Sequence, residues 1–367
     1  MMKIVRFNID SMDLQRIEKM IRDSDTITTI LPVERFDKYL LGEYVEETDV
    51  EKNKFFALLD RNIYTDIITV AKSSGTKPHT PQQKVACALL AFLQLAEVTI
   101  EPNMAISEHV DSGHHEEAVA ELCLFRAVDN LNPQILIELA LGRRNGIPAH
   151  MLKRQAVESI EPKKGEDFLR WKIHYGFILK MAIIELQGGK PPVEKLKRFL
   201  DWVYKEYVFI SSAIIFGLVY FSEKRFKGMV KHIGSGDKDK VLRGVRNATW
   251  DMTVAYSWSK KAIAEKEDGI FWLLCTEDKA LRTIAGSLVV TDDELEQKKK
   301  AVFCEYLGEE KGRQIYDKLV DMDKRRDDDS SRRAYKLGDV SNLYPVVDEL
   351  EKELLSKLTK HKCKREN

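Results

Sequence analysis

The sequence holds no apolar run of membrane-spanning length. Its most apolar stretch, VFISSAIIFGLVYF from Val208 to Phe221, falls short of the roughly 20 residues that cross a bilayer and reads as a buried core helix. The first residues, MMKIVRFNIDSMDLQRIEK, carry charge throughout and lack the uninterrupted apolar region of a secretory signal. The expectation is a cytoplasmic protein with no membrane partner. Cysteine is scarce, and Cys87, Cys123, Cys275, Cys304 and Cys363 show no paired or CxxC spacing, which fits a reducing compartment without a zinc site. An excess of either charge is also missing. With 59 basic and 59 acidic residues the formal net charge is zero, so no global field draws the chain onto nucleic acid and any polyanion contact must be local. No internal repeat is evident.

What is present is apolar content enough for a sizeable core. At 367 residues and 44% hydrophobic content, the length allows two or three lobes. One segment breaks the charge balance. From Lys224 to Arg246 eight basic residues stand against Glu223, Asp237 and Asp239. Within it Lys231, Lys238, Lys240, Arg243 and Arg246 are candidates for contacting a nucleic-acid backbone, on what reads as a Lys-rich linker around HIGSGDKDK.

The chain reads as five regions. Residues 1–50 suggest a short strand, a helix near Met12 to Arg22 and irregular polar sequence. Residues 51–147 show an α/β pattern: a strand at 54–59, a helix from Ile63 to Lys72, a helix from Gln82 to Leu95, a short strand at Val98 to Ile100 and a helix from Met104. Residues 148–240 read as a helical insertion, broken at Gly188, Gly189, Pro191 and Pro192 into two long helices. Its aromatics Trp171, Tyr175, Trp202, Tyr204 and Tyr207 suit core packing better than a base-stacking platform. Residues 241–290 resume the α/β pattern, with a helix that Asn247 or Thr249 would cap, a strand from Ile270 to Cys275 and a helix from Asp278. Residues 291–367 are charged and helical.

Carboxylates recur at the junctions of these elements. Asp60 follows the strand FALL, and Asp278 follows the strand IFWLLC nearly the whole chain away. In open α/β sheets ligands gather at the carboxyl ends of strands, so two strand-end aspartates suggest one shared acidic site. Asp251 lies in the first turn of its expected helix. The helix from Met104 carries Glu108, with Glu101, Asp111, Glu116 and Glu117 nearby. Clustered carboxylates repel unless a cation neutralises them, and an all-oxygen set suits Mg²⁺ or Mn²⁺. Such an ion supports phosphodiester hydrolysis without a Ser, Cys or His nucleophile. Asn62 and Thr276 lie within two residues of Asp60 and Asp278 and are placed to orient them. His109, His114 and His115 lack the i, i+4 spacing of a helical zinc motif and read as a solvated helix end.

In order, LLDRN, EPNMAISEH, WDMTVAYSW and LLCTEDKAL resemble the PIN-domain nucleases. The resemblance covers residues 54–125 and 245–290 and is most specific at the strand ending in Thr, any residue, Asp. It implies a parallel sheet flanked by helices, here interrupted by the α-helical insertion. It singles out Glu108 and implies metal binding by Asp60, Glu108, Asp251 and Asp278, an auxiliary hydroxyl at Thr276, and RNA rather than DNA as the substrate of an endoribonuclease. The alternatives are a non-catalytic binding or regulatory protein on the same fold, which would engage a protein partner, and a metal-dependent phosphatase of small phosphate esters.

Overall fold

The computed structural model describes residues 9–73, 78–111, 113–152, 166–289, 295–330, 332 and 342–366. Along the chain come α1 (Ser11–Ser24), β1 (Ile27–Thr28), α2 (Leu41–Asp49), β2 (Lys54–Leu59), α3 (Arg61–Lys72), α4 (Pro81–Leu95), β3 (Thr99–Glu101), α5 (Asn103–Asp111), α6 (His115–Asp129) and α7 (Pro133–Ala140). There follow α8 (Glu166–Leu186), α9 (Pro192–Glu206), α10 (Ser211–Tyr220), α11 (Lys238–Glu265), β4 (Ile270–Cys275), α12 (Lys279–Leu288), α13 (Leu295–Leu307), α14 (Glu309–Arg325) and α15 (Leu343–Glu366). They form two compact units, one of Met1–Pro162 with Trp258–Arg282, the other of Lys163–Ser257 with Thr283–Asn367.

The first unit holds a four-stranded sheet of order β1-β4-β2-β3. β2 pairs in parallel with both β3 and β4, while β1 pairs antiparallel with β4. The sheet is therefore mixed, where the sequence suggested a parallel one. The antiparallel edge comes from Ile27–Thr28, inside the stretch that reads as irregular; two residues are too few to display a strand's alternation. That stretch also forms α2. The strand expected ahead of the first helix would fall among residues 1–8, outside the described residues.

Alternation along β2 and β4 places helices on both faces. Phe55, Ala57, Leu59, Leu273 and Cys275 join one core with Ile17 and Ile21 of α1, Ile63 and Ile67 of α3, and Leu89 to Leu93 of α4. On the opposite face Phe56 stacks on Trp272 with ring centroids 5.0 Å apart. There the end of α11 closes the sheet: Trp258 Nε1 donates to the Trp272 carbonyl at 2.9 Å, Trp272 Nε1 donates to Glu265 at 2.8 Å, and Lys261 Nζ lies 3.9 Å from the Trp272 centroid. A sheet covered on both sides needs near-continuous apolar strands, and KFFALL and IFWLLC supply them. The turn into β4 depends on Gly269. It lies in the left-handed region at φ 69°, and a Cβ there would come within 2.7 Å of Asn53 Oδ1.

The second unit is helical. Where two long helices were expected before residue 226, the described residues form three, α8, α9 and α10, with α10 almost wholly buried. Trp171, Tyr175, Trp202, Tyr204 and Tyr207 are all buried, so they form core and offer no stacking surface. Three helices also meet through a buried polar chain. Thr253 Oγ1 donates to the Thr249 carbonyl at 2.7 Å and so accepts from His174 Nδ1 at 2.9 Å, leaving Nε2 to face Ser212 Oγ at 3.4 Å. Burial pushes His174 down to about 3, which keeps the ring neutral.

One element differs from its reading in a way that matters below. α11 starts at Lys238, not at Asn247 or Thr249, and the Asp237 carboxylate caps it by accepting from Asp239 N and Lys240 N, both at 3.1 Å. The buried residues Val241, Val245, Ala248, Met252 and Ala255 continue one helical stripe through the polar Asn247 to Thr249. Asp251 is consequently an interior helix residue and not a first-turn acid. Lys238, Lys240, Arg243 and Arg246 are on a helix rather than in a linker.

Candidate functional site at the carboxyl ends of β2 and β4

β2 is the central parallel strand. Its connection to β3 and the return to β4 leave on opposite sides of it, so the β2 and β4 ends lie at a topological switch point. The parallel register pairs Leu59 with Cys275, and one further ladder bond runs from Asp60 N to the Cys275 carbonyl at 3.0 Å. That register brings Asp60 level with Thr276. A slip of one residue would turn the Thr276 hydroxyl to the other face.

Asp60 caps α3 and is only 5% exposed. Its Oδ1 accepts from Arg61 N at 2.7 Å, and its Oδ2 accepts from Thr276 Oγ1 at 2.7 Å and from Asn62 Nδ2 at 3.2 Å. Thr276 Oγ1 in turn accepts from Asp278 N at 2.9 Å. One hydroxyl therefore links the two aspartates expected from the sequence. Asp278 is itself a cap. Its Oδ1 accepts from Ala280 N at 2.7 Å and Leu281 N at 3.0 Å, and its Oδ2 takes no hydrogen bond among the described residues. Asn62 thus bonds Asp60, while Thr276 bonds the Asp60 carboxylate and the backbone of Asp278.

Burial pushes the Asp60 carboxyl above its usual range, and the Asp278 charge adds to the rise against the three hydrogen bonds. Two acids that sequence reading passed over join them. Burial raises Glu277, with Asp66 and Asp60 adding to the rise and Arg282 opposing it, and burial raises Asp66 on α3. Glu277 stands where the motif admits any residue, and Asp66 follows Asp60 by six positions along α3. Their signal was the local density of acids, which spacing alone does not weight.

Basic groups flank these acids. Arg282, 13% exposed, donates to the Thr276 carbonyl at 2.9 Å and pairs with Asp25 at 3.5 Å. Arg61 donates to Glu121 at 3.0 Å, and Lys72 reaches the same carboxylate at 3.1 Å. Burial opposes ionisation of Glu121, but Lys72 and Arg61 hold it below the usual range. His109 lies 3.9 Å from Glu121 and 3.6 Å from Glu117, with His114 stacked on it at 5.1 Å. Burial leads in pushing His109 down. His109 therefore borders the ion pairs of Glu121, while His114 and His115 are exposed where α6 begins, at a solvated helix end as expected.

Glu108 is half-buried on α5 of the first unit. Asp251 belongs to the second unit, as do Lys231, Lys238, Lys240, Arg243 and Arg246, whose side chains are exposed. Among the described residues no group of three or more His, Cys, Asp or Glu side chains is arranged to hold a metal ion. The donor set around Asp60 is nonetheless chemically suited to a hard cation, because it is all oxygen, its charges repel, and Asp278 keeps an oxygen without a hydrogen bond. No helix among the described residues is long and apolar enough to cross a membrane. No family model, curated protein or solved structure matches the chain.

Proposed function

We propose that the carboxyl ends of β2 and β4 take a Mg²⁺ or Mn²⁺ ion and that the chain hydrolyses phosphodiester bonds as an endoribonuclease of PIN type. The observation that carries this reading is the hydroxyl of Thr276, which donates to the Asp60 carboxylate and accepts from the Asp278 backbone N–H, joining two strand-end aspartates at the switch point between parallel strands β2 and β4. Asp60 and Asp278 would hold the ion, with Glu277 and Asp66 adding negative charge to the site. A bound ion supplies a water of lowered pKa and polarises the phosphoryl oxygen. Asn62 and Thr276 keep the Asp60 carboxylate oriented, and Arg61 N and Thr276 Oγ1 stabilise its ionised form. Glu108, Asp251 and the preference for RNA rest on the resemblance alone.

A second reading has its own support. Asp60 and Asp278 each satisfy the first N–H groups of a helix, which is what an aspartate does in a fold that only binds. In that reading the protein keeps the architecture and engages a regulatory partner without chemistry.

Incubation with mixed single-stranded RNA and DNA in Mn²⁺, Mg²⁺ or EDTA separates the two. The expected outcome is metal-dependent cleavage, stronger on RNA, that is lost in Asp60→Asn while the fold survives, since Asn retains most of the cap. Inactivity of the wild type in every metal would favour the binding reading, and equal cleavage by both proteins would trace the activity to a contaminant.

A further inference from the structure

The second unit carries a concentration of exposed basic residues, most of them without an ion pair among the described residues. Lys224, Lys227, Lys231, Lys238, Lys240, Arg243 and Arg246 are all exposed. Among the described residues Lys224, Lys227, Lys231, Lys238 and Arg243 make no ion pair; Lys240 has only an exposed one with Asp237 at 3.5 Å. Elsewhere in the unit Lys195, Lys300 and Lys318 are paired with carboxylates at 2.6–2.9 Å. Residues 224–246 hold eight basic against two acidic residues, an excess of six positive charges in a chain whose total is zero, and of the eight Arg225 is taken up by Glu185 at 3.1 Å.

Packing joins Lys231 to the charges of α11. Lys240, Arg243 and Arg246 recur every three residues along α11 and so share a side of the helix. The preceding turn is drawn onto that helix at Gly244, where a Cβ would lie 2.1 Å from the Lys231 carbonyl oxygen. Only glycine admits so close a backbone, and the approach sets Lys231 beside the helical stripe. His232, with φ 64°, takes the left-handed conformation as the turn leaves Lys231.

From this we infer that the 224–246 face binds the phosphate backbone of a nucleic acid without reading its sequence. The argument for a charge-only mode is what the face lacks. The tryptophans and tyrosines that could stack on bases, Trp171, Tyr175, Trp202, Tyr204 and Tyr207, are buried. Beside exposed His232 and half-buried Phe226, what the segment exposes are mainly flexible cations, which neutralise phosphates and release counterions whatever the base order. The inference deepens the nuclease reading by naming how the substrate polymer is held, and it concerns the second unit by itself.

The test is binding of a 5′-labelled single-stranded RNA of mixed sequence, followed by anisotropy across about 50–200 mM salt. It uses the full chain carrying Asp60→Asn, in EDTA, so that failure of the hydrolytic reading cannot affect it. Neutralising Lys231, Lys238 and Arg243 to Gln should reduce the slope of log K against log salt by about 2, from roughly 0.7 per phosphate contact on a single strand. The same change at Lys19, Lys52 and Lys311 should leave the slope alone, and homopolymers of different base should bind within a few-fold of one another. An unchanged slope in the triple variant overturns the proposal. So does a strong base preference, or binding to anionic phospholipid vesicles in place of RNA.

Discussion

At residue scale, Asp60 is under opposing demands that can be separated by pH. Its carboxyl is raised in the folded protein above the ordinary value near 3.9, so between that value and the raised one the folded state binds more protons than the unfolded. Stability from this group is therefore highest in acid and falls as pH rises through the raised value. Asp60→Asn removes the titration. Thermal melts in EDTA at about pH 4 and pH 7 should show the variant gaining on the wild type at the higher pH. With Mn²⁺ in about hundredfold excess over its Kd the order should reverse, because the ion would stabilise only the wild type, by about 2.7 kcal/mol.

Thr276 tests the same site from its partner. It is fully buried, and its hydroxyl both donates to Asp60 and accepts from Asp278 N. Thr276→Val keeps the shape but leaves a buried carboxylate and an amide short of a partner, a loss of about 1–3 kcal/mol in urea denaturation. Thr276→Ser, which restores the hydroxyl, should recover most of it. A Val variant as stable as wild type would mean that the link between the two aspartates has no energetic weight.

The elements show where sequence reading succeeds and where it does not. β2 and β4 are legible because six-residue apolar strands covered on both faces leave a compositional run. The acids that end them are legible for the same reason, since a charge closes each run. The start of α11 was misplaced because the polar set Asn247 to Thr249 resembles a cap, whereas Thr249 spends its hydroxyl on the Val245 carbonyl at 2.8 Å inside the helix. Gly244 was likewise silent. As a mid-helix residue it should be improved by alanine, by about 1 kcal/mol. The approach of Lys231 reverses that expectation, so Gly244→Ala should cost about 1–3 kcal/mol net. Chemical denaturation of that single variant decides whether α11 and the turn before it are held together as described.

On the scale of the whole molecule, the chain leaves and re-enters each of its two units, and α11 contributes to both. Two compact units of this size are expected to unfold with a calorimetric enthalpy larger than the van't Hoff value. Scanning calorimetry should show this as a composite transition. If the ion binds at the β2 and β4 ends, Mn²⁺ should move only the component that belongs to the unit holding Asp60 and Asp278.

The sequence by itself determined that the chain folds an α/β core with large helical additions, that its apolar stretch at 208–221 is interior, and that Asp60 and Asp278 terminate buried strands. These follow from local runs and periods, which a chain carries wherever it is placed. The tertiary structure alone decided that Leu59 pairs with Cys275, and through that register that Thr276 bonds Asp60, that Asp66 and Glu277 join the same field, and that Arg61 is taken up by Glu121. It also drew Lys231 against the helix that carries Lys240, Arg243 and Arg246. Each of these is a relation between residues far apart in the chain or on different elements. Such relations are fixed by strand register and by the distance at which two backbones can pack, and neither leaves a local signature in residue order.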